Sequence, residues 1–460
     1  MKRYALFIGM LLTACAPRFY PPQTELPVHY ANAADTTVTM TIDSCWWRTF
    51  GDTTLNRLIE QALENNRDLA AAAARIEETR ANLGIARAQY LPQVGAGITA
   101  GGNYTDATRI VQSYTVEPTL SWEISLFGAL RNTRRSARAQ IASSLWAYTG
   151  VRLSLAAQVA TTYFELLEYE HALSIARRTY ELRRESAALI DSMHHHGMSS
   201  GVDLAQARSL VYEAEADIPR YERAVEEARW SLAVLLGETT PQPAVHDSEV
   251  ELERPARLAE IPVGLPSELL DRRPDLQENR YALLAAAAEV GIARSARFPS
   301  IALTAKGGVA SATLKGLTGT NPWTWDAAGS ITAPIFAFGK LKRSEQAAMA
   351  RYEQAARNYE QSVLNAFSEV ETALDAIATY RRQTERYAEL VAANKTIDEK
   401  TRALYRSGLA DYFDVLSAQR DYYNSQMQLA NLVAQQYINH INLYKALGGG
   451  FRITEEQNVR

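Results

Sequence analysis

Few residues in this 460-residue chain combine type and spacing in a way that could do chemistry. His194, His195 and His196 carry imidazoles, the commonest metal ligands. Three consecutive residues of a helix do not share a face, so they make a poor three-ligand site, and a solvated turn accounts for them as well. Gly448, Gly449 and Gly450 end a helical stretch without the context of a phosphate loop. No nucleophile stands in a pattern with a general base, and no cysteine and histidine set has metal-ligand spacing. The chain therefore reads as a non-enzyme with no resident metal and no cofactor. The one covalent chemistry it advertises is at Cys15.

"MKRYALFIGMLLTAC" places Lys2 and Arg3 before an apolar run from Tyr4 to Leu12. This is the layout of an export signal, and the run is too short to span a bilayer as a helix. It ends in Leu12-Thr13-Ala14-Cys15, which resembles a bacterial lipobox. In that reading residues 1–14 are a signal peptide and Cys15 carries acyl chains, several of which together hold a protein on a membrane. Ala16, where such lipoproteins destined for the inner membrane tend to carry Asp, resembles an outer-membrane address. An ordinary signal with a coincidental cysteine is the alternative. Cys45 then has no thiol partner and reads as a small buried residue beside Trp46 and Trp47. Residues 15–45 contain Pro17, Pro21, Pro22 and Pro27 and read as an extended tether.

Apolar residues make up 47% of the chain and charged ones 22%, which excludes a disordered protein. The net charge of -4, with no basic block interleaved with aromatics, excludes a nucleic-acid surface. The 23 tyrosines against 11 phenylalanines suit aromatic surface at polar boundaries.

The chain writes much of itself twice. "GIARAQYLPQ" from Gly84 returns as "GIARSARFPS" from Gly291, and Asn66-Arg67-Asp68-Leu69 aligns with Arg273-Pro274-Asp275-Leu276 at the same offset of 207. "LFGALR" from Leu126 resembles "AFGKLK" from Ala337 at an offset of 211, as do Gly197, Asp203 and Ala207 with Gly408, Asp414 and Ala418. Such a period is far too long for a solenoid, so each half is a whole structural module.

Both halves follow one grammar. An Ala-rich helix, about Leu55 to Tyr90 and about Ser267 to Arg297, ends before Pro92 or Pro299. Two strand-like stretches follow: "QVGAGITAGGNY" and "SYTVEPTLSWEISLF", then "SIALTAKGGVASA" and "WTWDAAGSITAPIF". Each holds a strand candidate of about ten residues, the length of a tilted membrane-spanning strand, with Tyr104, Tyr114, Trp122, Trp323 and Trp325 near the ends as interface aromatics. A soluble antiparallel sheet would carry the same alternation. Very long helices come next: Ala129 to Met193 and Val202 to Leu236, the latter interrupted at Pro219, then Leu341 to Ser407 and Leu409 to Leu447. The second pair is roughly 100 Å and 60 Å long at about 1.5 Å per residue. Val363, Phe367, Val370, Leu374 and Ile377 form a coiled-coil seam, and Ala355, Ala356, Ala366, Ala373 and Ala376 allow close packing on other faces. Four strands are too few to close a barrel, and an open edge in lipid leaves backbone unpaired, so copies must share the sheet. Three chains of four strands would give a closed pore of twelve.

"ALENNRDL" (Ala62 to Leu69), "GLPSELLDRRPDL" (Gly264 to Leu276), "FPSIALTA" (Phe298 to Ala305) and "LYKALGGGF" (Leu443 to Phe451) resemble the TolC-like outer-membrane factor family. Within it the chain is most similar to the NodT-type lipoprotein branch serving resistance–nodulation–division (RND) efflux pumps, over about Trp46 to Phe451. The resemblance implies an α+β membrane protein and a homotrimer. A twelve-stranded β-barrel in the outer membrane would continue as a periplasmic α-helical barrel of coiled coils, with a mixed equatorial domain between. It implies a first repeat over residues 46–240, an equatorial linker over 241–263, a second repeat over 264–448 and a tail over 449–460. A periplasmic adaptor and an inner-membrane RND transporter would be its partners, and drugs or other small toxic compounds its cargo.

The resemblance also places a gate at the periplasmic tips. Asp203 and Tyr405 would tie neighbouring coils, and Asp414 would form a ring of carboxylates about the axis. Like charges converging there attract cations and oppose tight closure. Some members carry a further aspartate where this chain has Ser417; Asp411 is the nearby substitute. The plainer role of Asp203 and Asp414 is to begin the returning helices, and both roles are compatible. Gly197 and Gly408 read as helix-ending turn residues, with adaptor tips binding beside them. Three rivals remain at this level: a protein-secretion conduit, a heavy-metal conduit, and a structural coiled coil without a pore.

Overall fold

The computed structural model describes Pro27, Tyr30, Ala31 and residues 43–104, 110–241, 250–259, 261, 263 and 266–450. Cys15, the export signal, most of the tether, residues 242–249, 260 and 262 of the linker, residues 451–460 of the tail and the Tyr104 side chain lie outside the described residues.

After a 3-10 turn at Trp46–Phe50 the chain forms α1 (Thr53–Asn65) and α2 (Arg67–Ala88). The hairpin β1 (Gln93–Tyr104) and β2 (Ile110–Ile124) leads into the 67-residue α3 (Ala129–His195), which returns as α4 (Gly201–Leu235). The second half repeats this order: α5 (Leu269–Arg272), α6 (Pro274–Ser295), β3 (Ser300–Ser311), β4 (Trp323–Thr332), the 67-residue α7 (Lys340–Arg406) and α8 (Tyr412–Ala446). No described helix is long and apolar enough to cross a membrane.

Two expectations are corrected. Each leading helix is broken, at Asn66 and at Arg273. Asn66 leaves helical geometry to cap α2, accepting from Leu69 N at 3.0 Å, and Arg273 is held extended by Pro274. Pro219 does not interrupt α4, which runs through it. The proline ring is exposed, and packing on α3 outweighs one missing backbone donor.

The four strands make one antiparallel sheet in the order β1-β2-β3-β4, so the two halves join at β2 and β3. They are 10 to 15 residues long. The β2–β3 ladder skips Glu117 and Pro118, because proline has no N–H to give. Opposite them, Gly308 lies so close to the Val116 carbonyl and Glu117 that no side chain would fit. β4 is exposed at every position.

The main core lies where the halves meet away from the sheet. Trp46, Trp47, Leu55, Ile59, Phe164, Leu236, Leu252 and Ile441 are buried together, with Cys45 partly buried against them. Trp46 stacks on Tyr444 at 5.1 Å and Phe164 on Tyr437 at 4.3 Å. A second core holds the predicted seam. Val363 and Val370 are buried, with Phe367, Leu374 and Ile377 packed against them, and Tyr30 of the tether stacks on Phe367 at 5.5 Å.

Candidate functional site: the helical tips

The two tips repeat one backbone geometry. α3 ends at Gly197 (φ 71°) and α7 at Gly408 (φ 72°), left-handed positions that glycine adopts without a Cβ penalty. Gly197 N donates to His194 O and Met198 N to Met193 O, both at 2.9 Å; Gly408 N donates to Tyr405 O and Leu409 N to Leu404 O at the same length. These paired bonds satisfy the last carbonyls of each long helix. The next helix starts at Ser200 in one tip and Asp411 in the other, both at φ -80° and ψ 156°.

The side chains then diverge. Ser200 and Asp203 form a reciprocal capping box: Asp203 N donates to Ser200 Oγ at 3.1 Å, and Ser200 N to Asp203 Oδ2 at 3.1 Å. Ser199 Oγ adds a bond to Asp203 Oδ2 at 3.2 Å. Slight burial pushes the Asp203 carboxyl up, but the bonds from Ser200 and Ser199 outweigh it and hold it below the ordinary aspartate range. In the second tip two carboxylates replace this hydroxyl–carboxylate pair. Asp411 makes no side-chain cap bond, and both it and Asp414 are exposed.

Tyr405 belongs to a small core that joins the tips: Ile190, Ala207, Tyr412, Val415 and Leu416 are buried there, with Met193 and Leu204 partly so. Its hydroxyl donates to Met193 Sδ at 3.7 Å, and its ring lies 5.4 Å from that of Tyr412. Burial, then the charge of Asp203, raises the Tyr405 pKa; Tyr412 is pushed up to about 12 by burial, Tyr405 and Asp203. Within one chain the described bonds of Asp203 thus go to Ser199 and Ser200, while Asp203 is felt by Tyr405 through its charge. Around this core the tips expose Met198 and Val202 on one side and Leu409 and Phe413 on the other, again 211 residues apart.

The three histidines do not converge. His194 Nδ1 donates to Ser199 O at 3.0 Å and His196 Nδ1 to Ser192 O at 2.7 Å, while His195 Nε2 lies 3.8 Å from Asp191. No group of three metal-ligating side chains occurs among the described residues.

Two anchors escaped the sequence reading. Buried Arg273 donates to Asp275, to Glu369 at 2.7 Å and to the Ala446 carbonyl at 3.1 Å. Its partner in the first half, Asn66, donates to the Leu235 carbonyl at 3.0 Å. Each ties the broken leading helix to the end of the returning one. Gly237 and Gly448 stand beside these joints with positive φ, their backbones too close to Asn65 and Arg272 for a Cβ. Nearer the tips, buried Arg183 donates to Leu210 O at 2.9 Å and lies over the Tyr423 ring at 5.1 Å, whose hydroxyl donates to Asp217 at 2.6 Å. An arginine in a helical charge pattern reads as solvated, so only the repeat alignment of Arg273 with Asn66 could have signalled the first anchor.

A family model described as "Outer membrane efflux protein" matches residues 58–238 and 265–449. The solvent efflux pump outer membrane protein SrpC of Pseudomonas putida is 36% identical over 415 residues, 88% of this chain and 87% of that protein. The probable outer membrane lipoprotein SilC of Salmonella typhimurium is 32% identical over 460 residues, covering 98% of this chain and 99% of that one. The open-state crystal structure of the Neisseria gonorrhoeae MtrE outer membrane channel superposes with a TM-score of 0.85 at 30% identity, covering 95% of this chain and 98% of that chain.

Proposed function

The chain belongs to the outer membrane efflux protein family, and on that premise we propose that it is the passive exit duct of a three-part RND efflux pump. Three copies would close the four-stranded sheets into a twelve-stranded outer-membrane barrel. The paired helices would then form a tube reaching roughly 100 Å into the periplasm, at about 1.5 Å per residue. Lipid on Cys15 is a second hold on the membrane, and the duct needs no other cofactor and catalyses nothing. The observation that carries this reading is a sheet open at both edges, mounted on two 67-residue helices and built twice in one chain.

The tips are the gate and the adaptor's docking place. Tyr405 holds the two coils of one chain together through Met193 and Tyr412, Asp203 acts on it by charge, and exposed Asp414 and Asp411 supply the carboxylates of the constriction. Gly197 and Gly408 shape the turns, and Met198, Val202, Leu409 and Phe413 give an adaptor apolar surface to cover. The cargo is organic, in line with the solvent pump relative.

Deleting the gene and measuring growth inhibition by dyes, detergents, solvents, antibiotics and metal salts tests the cargo. Sensitisation to the organic compounds is expected; sensitisation to metals alone would assign a metal pump, and loss of an exported protein would assign secretion. Single-channel recording of the purified protein in a planar bilayer tests the duct. Low conductance that rises in Asp203→Ala and Tyr405→Phe is expected, and silence in all three proteins would end the duct reading.

A further inference from the structure

Charge is unevenly placed along the chain. The whole sequence has 48 Lys and Arg against 52 Asp and Glu. Where helices meet the sheet, over residues 79–92, 129–138, 286–299 and 340–349, eleven Lys and Arg stand against two Asp and Glu. Both of those acids are paired, Glu345 with Arg297 at 2.6 Å and Glu289 with Arg351 at 3.6 Å. The excess is greatest at the head of α3. It carries Arg131, Arg134, Arg135 and Arg138 and holds no Asp or Glu before Glu165.

The packing of α3 decides which way these arginines face. Asn132 lies against Gly291, and Ser143 Oγ donates to Glu278 O at 3.2 Å, so both look to α6. Ala137 and Ile141 pack with Leu83 and Ala86, and the Ser144 and Thr79 hydroxyls share a bond of 3.0 Å, so these look to α2. At about 100° per residue the two directions lie roughly 140° apart one way round the helix and roughly 220° the other. The neighbours of any member of a closed ring are less than a half-turn apart on its inner side, so the wider arc faces outwards. All four arginines fall in that arc, and Thr133, Ser136 and Gln140 fall in the narrower one. Arg134 is steadied over the Tyr90 ring at 5.5 Å, while Arg131, Arg135 and Arg138 are exposed.

Apolar surface stops just before them. Leu91, Leu126, Phe336 and Phe338 are exposed at the turns between strands and helices. From Arg131 to Arg138 is about 10 Å along α3, at about 1.5 Å per residue. The headgroup layer is roughly 5–8 Å deep on each side of a bilayer, and a long arginine side chain reaches along its helix to meet it.

We propose that the outer face at the head of α3 binds the anionic phospholipid headgroups of the leaflet facing the periplasm, with Arg131, Arg134, Arg135 and Arg138 on their phosphates. The inference rests on the duct reading, which puts the sheet in the membrane, and adds the lipid that the first half holds there.

The duplication supplies an internal control. The same positions of α7, 211 residues on, are Lys342, Glu345, Gln346 and Met349, so the fold itself does not demand arginine. Elsewhere on the long helices an arginine has a carboxylate one turn away: Arg184 with Glu181, Arg357 with Glu360 and Arg386 with Glu389. At the head of α3 every such position lacks one, so the countercharge is left to come from outside the helix. A guanidinium can hold a phosphate through two bonds at once, which a lysine ammonium cannot.

Lipid retention by the full-length protein tests this. The detergent-extracted protein is held on resin, washed with neutral-detergent micelles containing equal phosphatidylglycerol and phosphatidylcholine, and its retained lipids are measured. The variant carries Arg131→Gln, Arg135→Gln and Arg138→Gln, all at exposed positions. A charge-matched control carries Arg184→Gln, Arg223→Gln and Arg386→Gln. The parent and the control should keep phosphatidylglycerol over phosphatidylcholine by about fivefold, and the variant should keep the two equally. In the parent the preference should fade as salt rises from about 0.05 to 0.5 M. A trimeric parent with no preference, a preference that salt does not weaken, or the same preference in the variant would overturn the inference and leave the duct standing. Release of the phosphatidylglycerol by equimolar inorganic phosphate would overturn it too, by showing a site for free anions. A single-chain mass for the extracted parent would overturn the duct and this inference together.

Discussion

Asn66 and Arg273 occupy the same place in the two halves yet hold it with different chemistry. A neutral amide reaches one carbonyl in the first half. In the second, a guanidinium reaches a carbonyl and two carboxylates from a position 7% exposed. Burial opposes its charge, but Asp275 and Glu369 outweigh that and keep its pKa above the ordinary arginine value. Arg273→Met keeps the bulk, leaves the buried Ala446 carbonyl unpaired and returns two half-exposed carboxylates to water, so it should lower stability to thermal unfolding by about 1–3 kcal/mol. Asp203 yields a pH prediction. A carboxyl held below its ordinary value contributes stability above the unfolded pKa of about 3.9, and loses it as pH falls through the lower folded value. Amide protection in the first turn of α4 should drop across that acidic window in the wild type and stay level in Asp203→Ala; equal profiles would contradict the capping box as its source.

The elements were legible wherever one signal governed them. A long stretch free of proline and glycine became α7, the matching stretch with Gly150 inside it became α3, and the heptad spacing of Val363 to Ile377 became a stripe buried at Val363 and Val370. Pro219 shows local preference losing to packing. The missing donor and the ring's clash with the preceding turn still cost free energy, about 3 kcal/mol in a helix interior. Pro219→Ala, at an exposed position, should therefore raise thermal stability, by a fraction of that figure if the helix bends to relieve the clash. A decrease in melting temperature would mean that the bend is needed by the packing of α4 on α3.

At the scale of the whole molecule the repeat governs. Strand order, the tip turns and the anchors of the leading helices recur at offsets of 207 and 211. A closed sheet would hold the membrane without help, so Cys15→Ser should weaken lipid-dependent attachment during assembly yet leave trimers extractable only by detergent. Trimers released by salt or alkali would show instead that the lipid is the main hold.

Period and composition by themselves determined the duplication, the four strands, the long helical pairs and the turns at Gly197 and Gly408, because each depends on neighbours close in sequence. Only the tertiary structure decided that Arg273 is buried on Ala446 and that Tyr405 faces Met193. Those outcomes turn on residues 173 to 212 positions apart meeting in space. A side chain's partners across such distances follow from how helices pack, which no local spacing encodes.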